Sequence, residues 1–142
     1  MPNLESKFTE LFQSSSEVRA VAPGRVNLIG EHVDFLDGFV LPFAIDNVTT
    51  CLIAKNGSTK IRVASAQENF VIETFELNNL KPLTGPVWTR YPVGVVWALD
   101  IKEGLDILID GQVPLGAGLS SSAALEASVA TALNKLFNLN IS

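Results

Sequence analysis

Apolar and polar positions along the chain predict a mixed set of helices and strands. Leu4, Phe8, Leu11 and Phe12 recur at helical spacing, so residues 3–13 read as a short amphipathic helix closed by Ser14-Ser15-Ser16. Val18 to Ala22 starts a strand that Pro23-Gly24 breaks or bulges. Phe39 to Ile45 is a strongly apolar run, in which Pro42 points to an edge strand or a bulged one. Val48 to Ala54 and Lys60 to Ala64 read as two strands around Asn56-Gly57-Ser58, and the Asn-Gly pair is a strong hairpin signal. Phe70 to Phe75 alternates partially and gives a further strand, followed by a polar loop over Asn78 to Gly85. Pro86 to Glu103 reads as a helix with Tyr91, Val95 or Val96, and Leu99 on one side, ended by Gly104. Gly94 inside it costs about 1 kcal/mol against alanine, and a close helix–sheet contact would be a reason to keep it. Leu105 to Asp110 is a strand, and Leu125, Val129, Leu133, Leu136 and Phe137 then mark one face of a last helix. The order α, several β, α, β, loop, α predicts an α+β domain, a mixed sheet with helices mainly on one face. No repeat, low-complexity stretch or linker divides it, so residues 1–142 form one domain.

Composition narrows the partners. The chain is 47% hydrophobic and 18% charged over 142 residues, enough for one real core. Its net charge of −5 argues against nonspecific binding to nucleic acid or an anionic membrane. Cys51 stands alone, which excludes an intrachain disulfide framework and a cysteine cluster for zinc. His32 is the only histidine, which excludes a multi-histidine metal site within this chain. Neither a signal-peptide core nor an apolar run of membrane-spanning length is present, and a cytoplasmic protein is expected.

Two stretches carry chemistry. The first is Pro114 to Ala124, a Gly- and Ser-rich turn from a strand into a helix N-terminus. Glycines let backbone come close to a ligand, and the first helical N–H groups point outward at the positive end of the macrodipole. Such a place suits a phosphate, and three serine hydroxyls can supply donors or oxygens for a divalent cation. A flexible loop with a serine N-cap is the other reading of the same residues. It is not a Walker A loop, because no Gly-Lys-Ser/Thr closes it. The second stretch is Gly24 to Gly38, with Arg25, Glu31, His32, Asp34 and Asp37. Glu31 and Asp34 can accept hydrogen bonds from ligand hydroxyls, and Arg25 can meet a carboxylate or phosphate. A solvated turn with a surface ion pair and a scaffold histidine would also account for them.

Together these stretches go beyond a generic pattern. Ala22-Pro23-Gly24-Arg25-Val26-Asn27-Leu28-Ile29-Gly30-Glu31-His32, followed by Asp34, closely resembles the galactokinase signature. Pro114 to Ala124, with Gly-Leu-Ser-Ser-Ser-Ala-Ala inside it, resembles the second motif of the GHMP small-molecule kinases in its galactokinase form. Gly38 to Asp46 and Trp88…Tyr91…Gly94-Val95 are similar to that family in place and order, so the resemblance covers nearly the whole chain. The family usually has Thr-Asp-Tyr-Asn where this chain has Val33-Asp34-Phe35-Leu36.

The resemblance implies the ribosomal-protein-S5-domain-2-like N-terminal domain of these kinases. It implies ATP-dependent phosphorylation of the anomeric hydroxyl of α-D-galactose, with ATP and Mg2+ as cofactors. Glu31, His32 and Asp34 would hydrogen-bond the sugar, and Arg25 would sit near the transferring phosphoryl group as the catalytic residue. Gly116, Ala117, Gly118, Leu119, Ser120, Ser121 and Ser122 would wrap the ATP phosphates, Ser122 would face the magnesium ion, and Trp88 would border the adenine. The family's catalytic aspartate, acidic magnesium partner and third glycine-rich motif lie further along than residue 142, so the chain is expected to be the N-terminal part of a galactokinase and inactive alone. Two alternatives accompany this expectation: a kinase for another hexose such as N-acetylgalactosamine, and a non-catalytic sensor of galactose and ATP. The intact Ser120-Ser121-Ser122-Ala123-Ala124 favours the enzyme over the sensor.

Overall fold

Strand β5 (Leu105–Gly111) is buried along most of its length, and the domain is built outward from it. The computed structural model describes residues 3–30, 36–81 and 83–141. Strands β1 (Val18–Asn27), β2 (Pro42–Lys55), β3 (Lys60–Ser65) and β4 (Glu73–Glu76) join β5 in one five-stranded sheet, ordered β1-β2-β5-β3-β4. The β3–β5 pair is parallel and the other pairs are antiparallel. The central strands carry near-continuous apolar runs because both of their faces are covered. Cys51, Ile53, Ile61, Val63, Ile107 and Ile109 face helices α2 (Arg90–Ala98) and α3 (Ser121–Phe137), which contribute Val93, Val96, Val129, Ala132 and Leu133. The next residue along each strand points the other way, so Leu52, Ala54, Ala64 and Leu108 meet Phe8 and Phe12 of helix α1 (Leu4–Phe12). The sheet is therefore mixed, with two helices on one face and one short helix on the other.

A charged pair sits under α1. Asp106 is 1% exposed, and its carboxylate accepts two hydrogen bonds from Arg62, Nε and Nη2 each at 2.7 Å, and one from Asn56 Nδ2 at 2.9 Å. The guanidinium also lies 5.2 Å from the Phe12 ring centroid. Burying a carboxylate is tolerable here because it is paired and hydrogen-bonded. On the opposite face Cys51 is fully buried, and desolvation pushes its thiol pKa up to about 12.

Several sequence expectations need correction. The segment Asn56-Gly57-Ser58 does turn, with Gly57 at φ +66°, but β2 and β3 do not pair as a hairpin. Strand β5 lies between them, and its approach is stitched to the turn by Asn56 N–H to the Gly104 carbonyl and Gly104 N–H to the Ser58 carbonyl. The apolar run from Phe39 and the strand from Val48 are continuous in β2, which starts at Pro42. Proline fits there because β5 pairs with β2 only from Thr49 onward. The helix expected over 86–103 is a one-turn 3-10 helix, Val87–Thr89, followed by α2, which ends at Ala98. Its fully buried residues are Pro92, Val93 and Val96, while Val95 and Leu99 of the expected row are half-buried against the same core and Tyr91 is half-buried. Gly94 faces away from the sheet, and a Cβ there would meet nothing within 4 Å, so no close contact requires it. Among the described residues no helix is long and apolar enough to cross a membrane.

Candidate functional site

Strand β1 slips register between Pro23 and Arg25: Pro23 lies opposite Val48 and Arg25 opposite Ala44. The bulge turns the strand towards the loop ahead of α3. Gly24 sits at the contact, where a Cβ would come within 2.9 Å of the Leu119 carbonyl oxygen, Val113 Cγ1 and Ile45 Cδ1. Only a residue without a side chain permits that approach. One step on, the Arg25 N–H donates to the Leu119 carbonyl at 3.0 Å. The two motif stretches, about ninety residues apart in sequence, thus share a backbone hydrogen bond. Between them lies a cleft of about 370 Å³. Arg25, Pro42 and Phe43 form one wall, and Ser120, Ala123 and Ala124 the other.

Beyond Arg25 the chain runs into a short ladder, with Leu28 N–H to the Leu41 carbonyl and Leu41 N–H to the Ile29 carbonyl. Gly30 has φ +92°, and a Cβ there would come within 2.3 Å of the Phe39 carbonyl, which accounts for glycine at this position. The proposed sugar contacts Glu31, His32 and Asp34 follow at once and lie outside the described residues. Asn27, which sequence reasoning passed over, places a buried side-chain oxygen at the end of β1 with no hydrogen-bond partner among the described residues.

The second motif adopts a glycine-dependent loop, with Gly116 at φ +71° and Gly118 at φ +68°. Gly116, Ala117 and Gly118 are exposed, Leu119, Ser120 and Ser121 half-buried, and Ser122 exposed at the first turn of α3. Ser120 is the N-cap residue, yet at φ +56° its side chain makes no capping hydrogen bond, so the serine cap considered above is not realised. The first intrahelical bond joins Ala124 N–H to the Ser120 carbonyl, which leaves the N–H groups of Ser121, Ser122 and Ala123 ahead of it. A helix of 17 residues with an uncapped N-terminus is suited to an anion. On the far side of this loop from Arg25 is a second, narrower cavity of about 100 Å³. Trp88, Leu125, Ile109 and Leu115 form its apolar part, and Thr49, Ser65 and Gln67 its polar edge. Trp88 is half-buried and packs on the core while lining this cavity. Sequence reasoning did not select Thr49 or Gln67; only the register of the sheet brings them to this cavity.

No group of three His, Cys, Asp or Glu side chains among the described residues could hold a metal ion. The site can seat an extended polyanion along the loop, a flat apolar group beside Trp88, and a polar group next to Arg25.

Comparison with known proteins bears on the family. The galactokinase galactose-binding signature matches residues 6–55, and the GHMP kinases N terminal domain matches residues 90–142. Galactokinase of Streptomyces coelicolor is 41% identical, covering 95% of this chain and 36% of that protein. Galactokinase of Staphylococcus carnosus is 42% identical, covering 99% and 38%. The chain thus spans a little over a third of the length of these relatives. The crystal structure of Lactococcus lactis galactokinase complexed with galactose superposes with a TM-score of 0.87 at 35% identity, covering 98% of this chain and 38% of that one. Mevalonate kinase of Methanococcus jannaschii shares the fold, with a TM-score of 0.74 at 22% identity. Two signature regions, relatives near 40% identity along almost the whole chain and the shared sheet topology agree: the chain carries the galactokinase galactose-binding signature and a GHMP kinases N terminal domain match, and along nearly its whole length it is similar to galactokinases.

Proposed function

We propose that this chain supplies the N-terminal part of an ATP-dependent galactokinase, which converts α-D-galactose to galactose 1-phosphate. The supporting observation is the Arg25–Leu119 contact at 3.0 Å, with a cleft between Arg25 and the Ser120 end of the loop. Phosphoryl transfer asks a protein mainly to position its reactants and stabilise charge. Bound ATP would supply the phosphoryl group, and Mg2+ would offset its charge. The backbone N–H groups of Gly116 to Ser122 would hold the phosphates, and the Ser122 hydroxyl would offer its oxygen to the magnesium ion. Trp88 would flank the base. Arg25 would stabilise charge on the group in transfer and hold a neighbouring carboxylate ionised. Glu31, His32 and Asp34 would accept and donate hydrogen bonds with sugar hydroxyls, and a site built this way rejects epimers because mispaired buried polar groups are costly.

A chimera tests the assignment: this chain replaces the matching third of Staphylococcus carnosus galactokinase, and galactose-dependent ATP turnover is followed. The chimera is expected to phosphorylate galactose and not glucose, while the 142-residue chain alone turns over no ATP with galactose. A folded chimera that consumes ATP without galactose dependence would overturn the assignment.

A further inference from the structure

Buried polar side chains of this domain are matched with partners. Asp106 accepts three hydrogen bonds, the Thr89 hydroxyl donates to the Pro86 carbonyl, and the Ser128 hydroxyl donates to the Leu125 carbonyl. Asn27 breaks the pattern. Its Oδ1 is buried and has no hydrogen-bond partner among the described residues. A buried acceptor without a donor is costly, whereas an apolar group of the same shape in its place is neutral or stabilising. Stability therefore does not account for a carboxamide at this position.

Its surroundings narrow what the oxygen can meet. From Arg25 to Asn27, strand β1 keeps one continuous register against β2, with Arg25 opposite Ala44 and Asn27 opposite Pro42. Residues two apart on a strand project from the same face, so Asn27 shares its face with Arg25. The residues opposite them, Ala44 and Pro42, carry apolar side chains, and Pro42 has no N–H. Strand β1 is the edge of the sheet, so no further strand lies on its other side. Arg25 is thus the donor side chain on this face of the paired segment. It is exposed on a wall of the cleft, and unlike Arg19 and Arg62 it pairs with no carboxylate among the described residues. The two α carbons are about 6.5 Å apart along the strand, a span that a guanidinium on its three-carbon stem can cover. A charged donor without an acceptor and a buried acceptor without a donor stand side by side.

We propose that Asn27 is a positioning residue for Arg25. Its Oδ1 accepts one guanidinium N–H when an anion occupies the cleft, and the remaining N–H groups of Arg25 are thereby aimed at that anion. A guanidinium held in this way needs no reorganisation as charge develops on the group in transfer. This inference rests on the galactokinase reading above and adds the residue that orients its arginine.

The test uses the chimera described above for activity and the chain itself for stability. Asn27→Leu removes the acceptor and keeps the shape. In urea unfolding it should be as stable as the unaltered chain or more so, because no bond is lost. In the chimera it should lower kcat at least about ten-fold, with KM for galactose and for ATP changed by less than about two-fold. Asn27→Asp keeps an acceptor and should hold kcat within about three-fold of the unaltered chimera. Where Arg25→Lys is already present, Asn27→Leu should lower kcat by less than about two-fold more, because the two residues act as a unit. A split between stability and kcat of this kind is not produced by a structural role. Loss of stability in Asn27→Leu overturns the proposal, since the oxygen would then have had a partner all along. Full kcat in folded Asn27→Leu overturns it, as does an undiminished further loss on top of Arg25→Lys. A folded unaltered chimera without galactose-dependent turnover overturns the galactokinase reading beneath it.

Discussion

Replacing Gly24 by alanine would strike the joint between the two motifs. The added methyl would stand 2.9 Å from three atoms: Ile45 Cδ1, Val113 Cγ1 and the Leu119 carbonyl oxygen. Ile45 Cδ1 is the tip of a side chain and can turn aside. Leu119 O is backbone, and it already accepts the Arg25 N–H at 3.0 Å, so relieving the clash means moving the loop and stretching that bond. Overpacking of this kind costs about 1–3 kcal/mol, and a weakened backbone hydrogen bond adds about 1 kcal/mol, for a total of about 2–4 kcal/mol. For a domain of this size that corresponds to a fall in Tm of roughly 6–12 °C. The contrasting variant is Gly94→Ala. There the methyl meets nothing within 4 Å and sits inside α2, so helix propensity should stabilise the chain by about 0.5–1 kcal/mol. Urea unfolding of both variants, fitted with a shared m-value, gives the two differences directly. A Gly24→Ala chain within about 0.5 kcal/mol of the unaltered one would refute the claim that the β1 bulge and the loop are held in contact, since that is the size of an ordinary surface change.

Asp106→Ala should lose about 2–4 kcal/mol in urea unfolding, because three hydrogen bonds to a buried carboxylate disappear and the Arg62 guanidinium is left without its partner. Adding Arg62→Leu should cost less than the separate effects sum to, a coupling that a double-mutant cycle reads out. The Cys51 thiol, raised to about 12 by burial, should resist alkylation at pH 8.5 until the chain unfolds. Its folded pKa exceeds the ordinary thiol value, so this contribution to stability is present below about pH 9 and is lost as the pH climbs towards 12. Cys51→Ala should remove that part of the alkaline slope in the urea midpoint.

The sequence pattern reveals the elements far better than their partners. Period-four apolar residues locate α1 and α3 nearly to the residue, because each helix buries one stripe whatever lies beneath it. Pairing depends on segments far apart in sequence. Asn56-Gly57 signals a turn correctly, but a turn does not say whether the strands beside it touch, and here β5 enters between them fifty residues later. The helix expected from Pro86 runs past the observed end at Ala98 because Ala98 to Glu103 contains no proline or glycine to mark a stop; Asp100, at φ +53°, supplies it instead. The site divides in the same way. Arg25 and the Gly-Ser loop are visible as motifs, since their chemistry is local. Thr49 and Gln67, which line the second cavity, carry no local sequence signal, and only sheet register makes them neighbours.

Ser120 shows why this loop is better explained as a binding element than as a connection. A serine before a helix ordinarily caps it through its side chain, which stabilises the helix by about 1 kcal/mol. Here the residue adopts φ +56°, a conformation that strains a non-glycine residue by about 1–3 kcal/mol, and makes no side-chain cap. Both departures lower stability. Together they keep the first N–H groups of α3 clear of the serine side chain and turn the loop so that Ser120 faces the Arg25 cleft while Ser121 faces the Trp88 cavity. A connection selected for stability alone would place a capping serine in the extended conformation. A loop that must present unpaired donors to an anion between two cavities has reason to accept the strain.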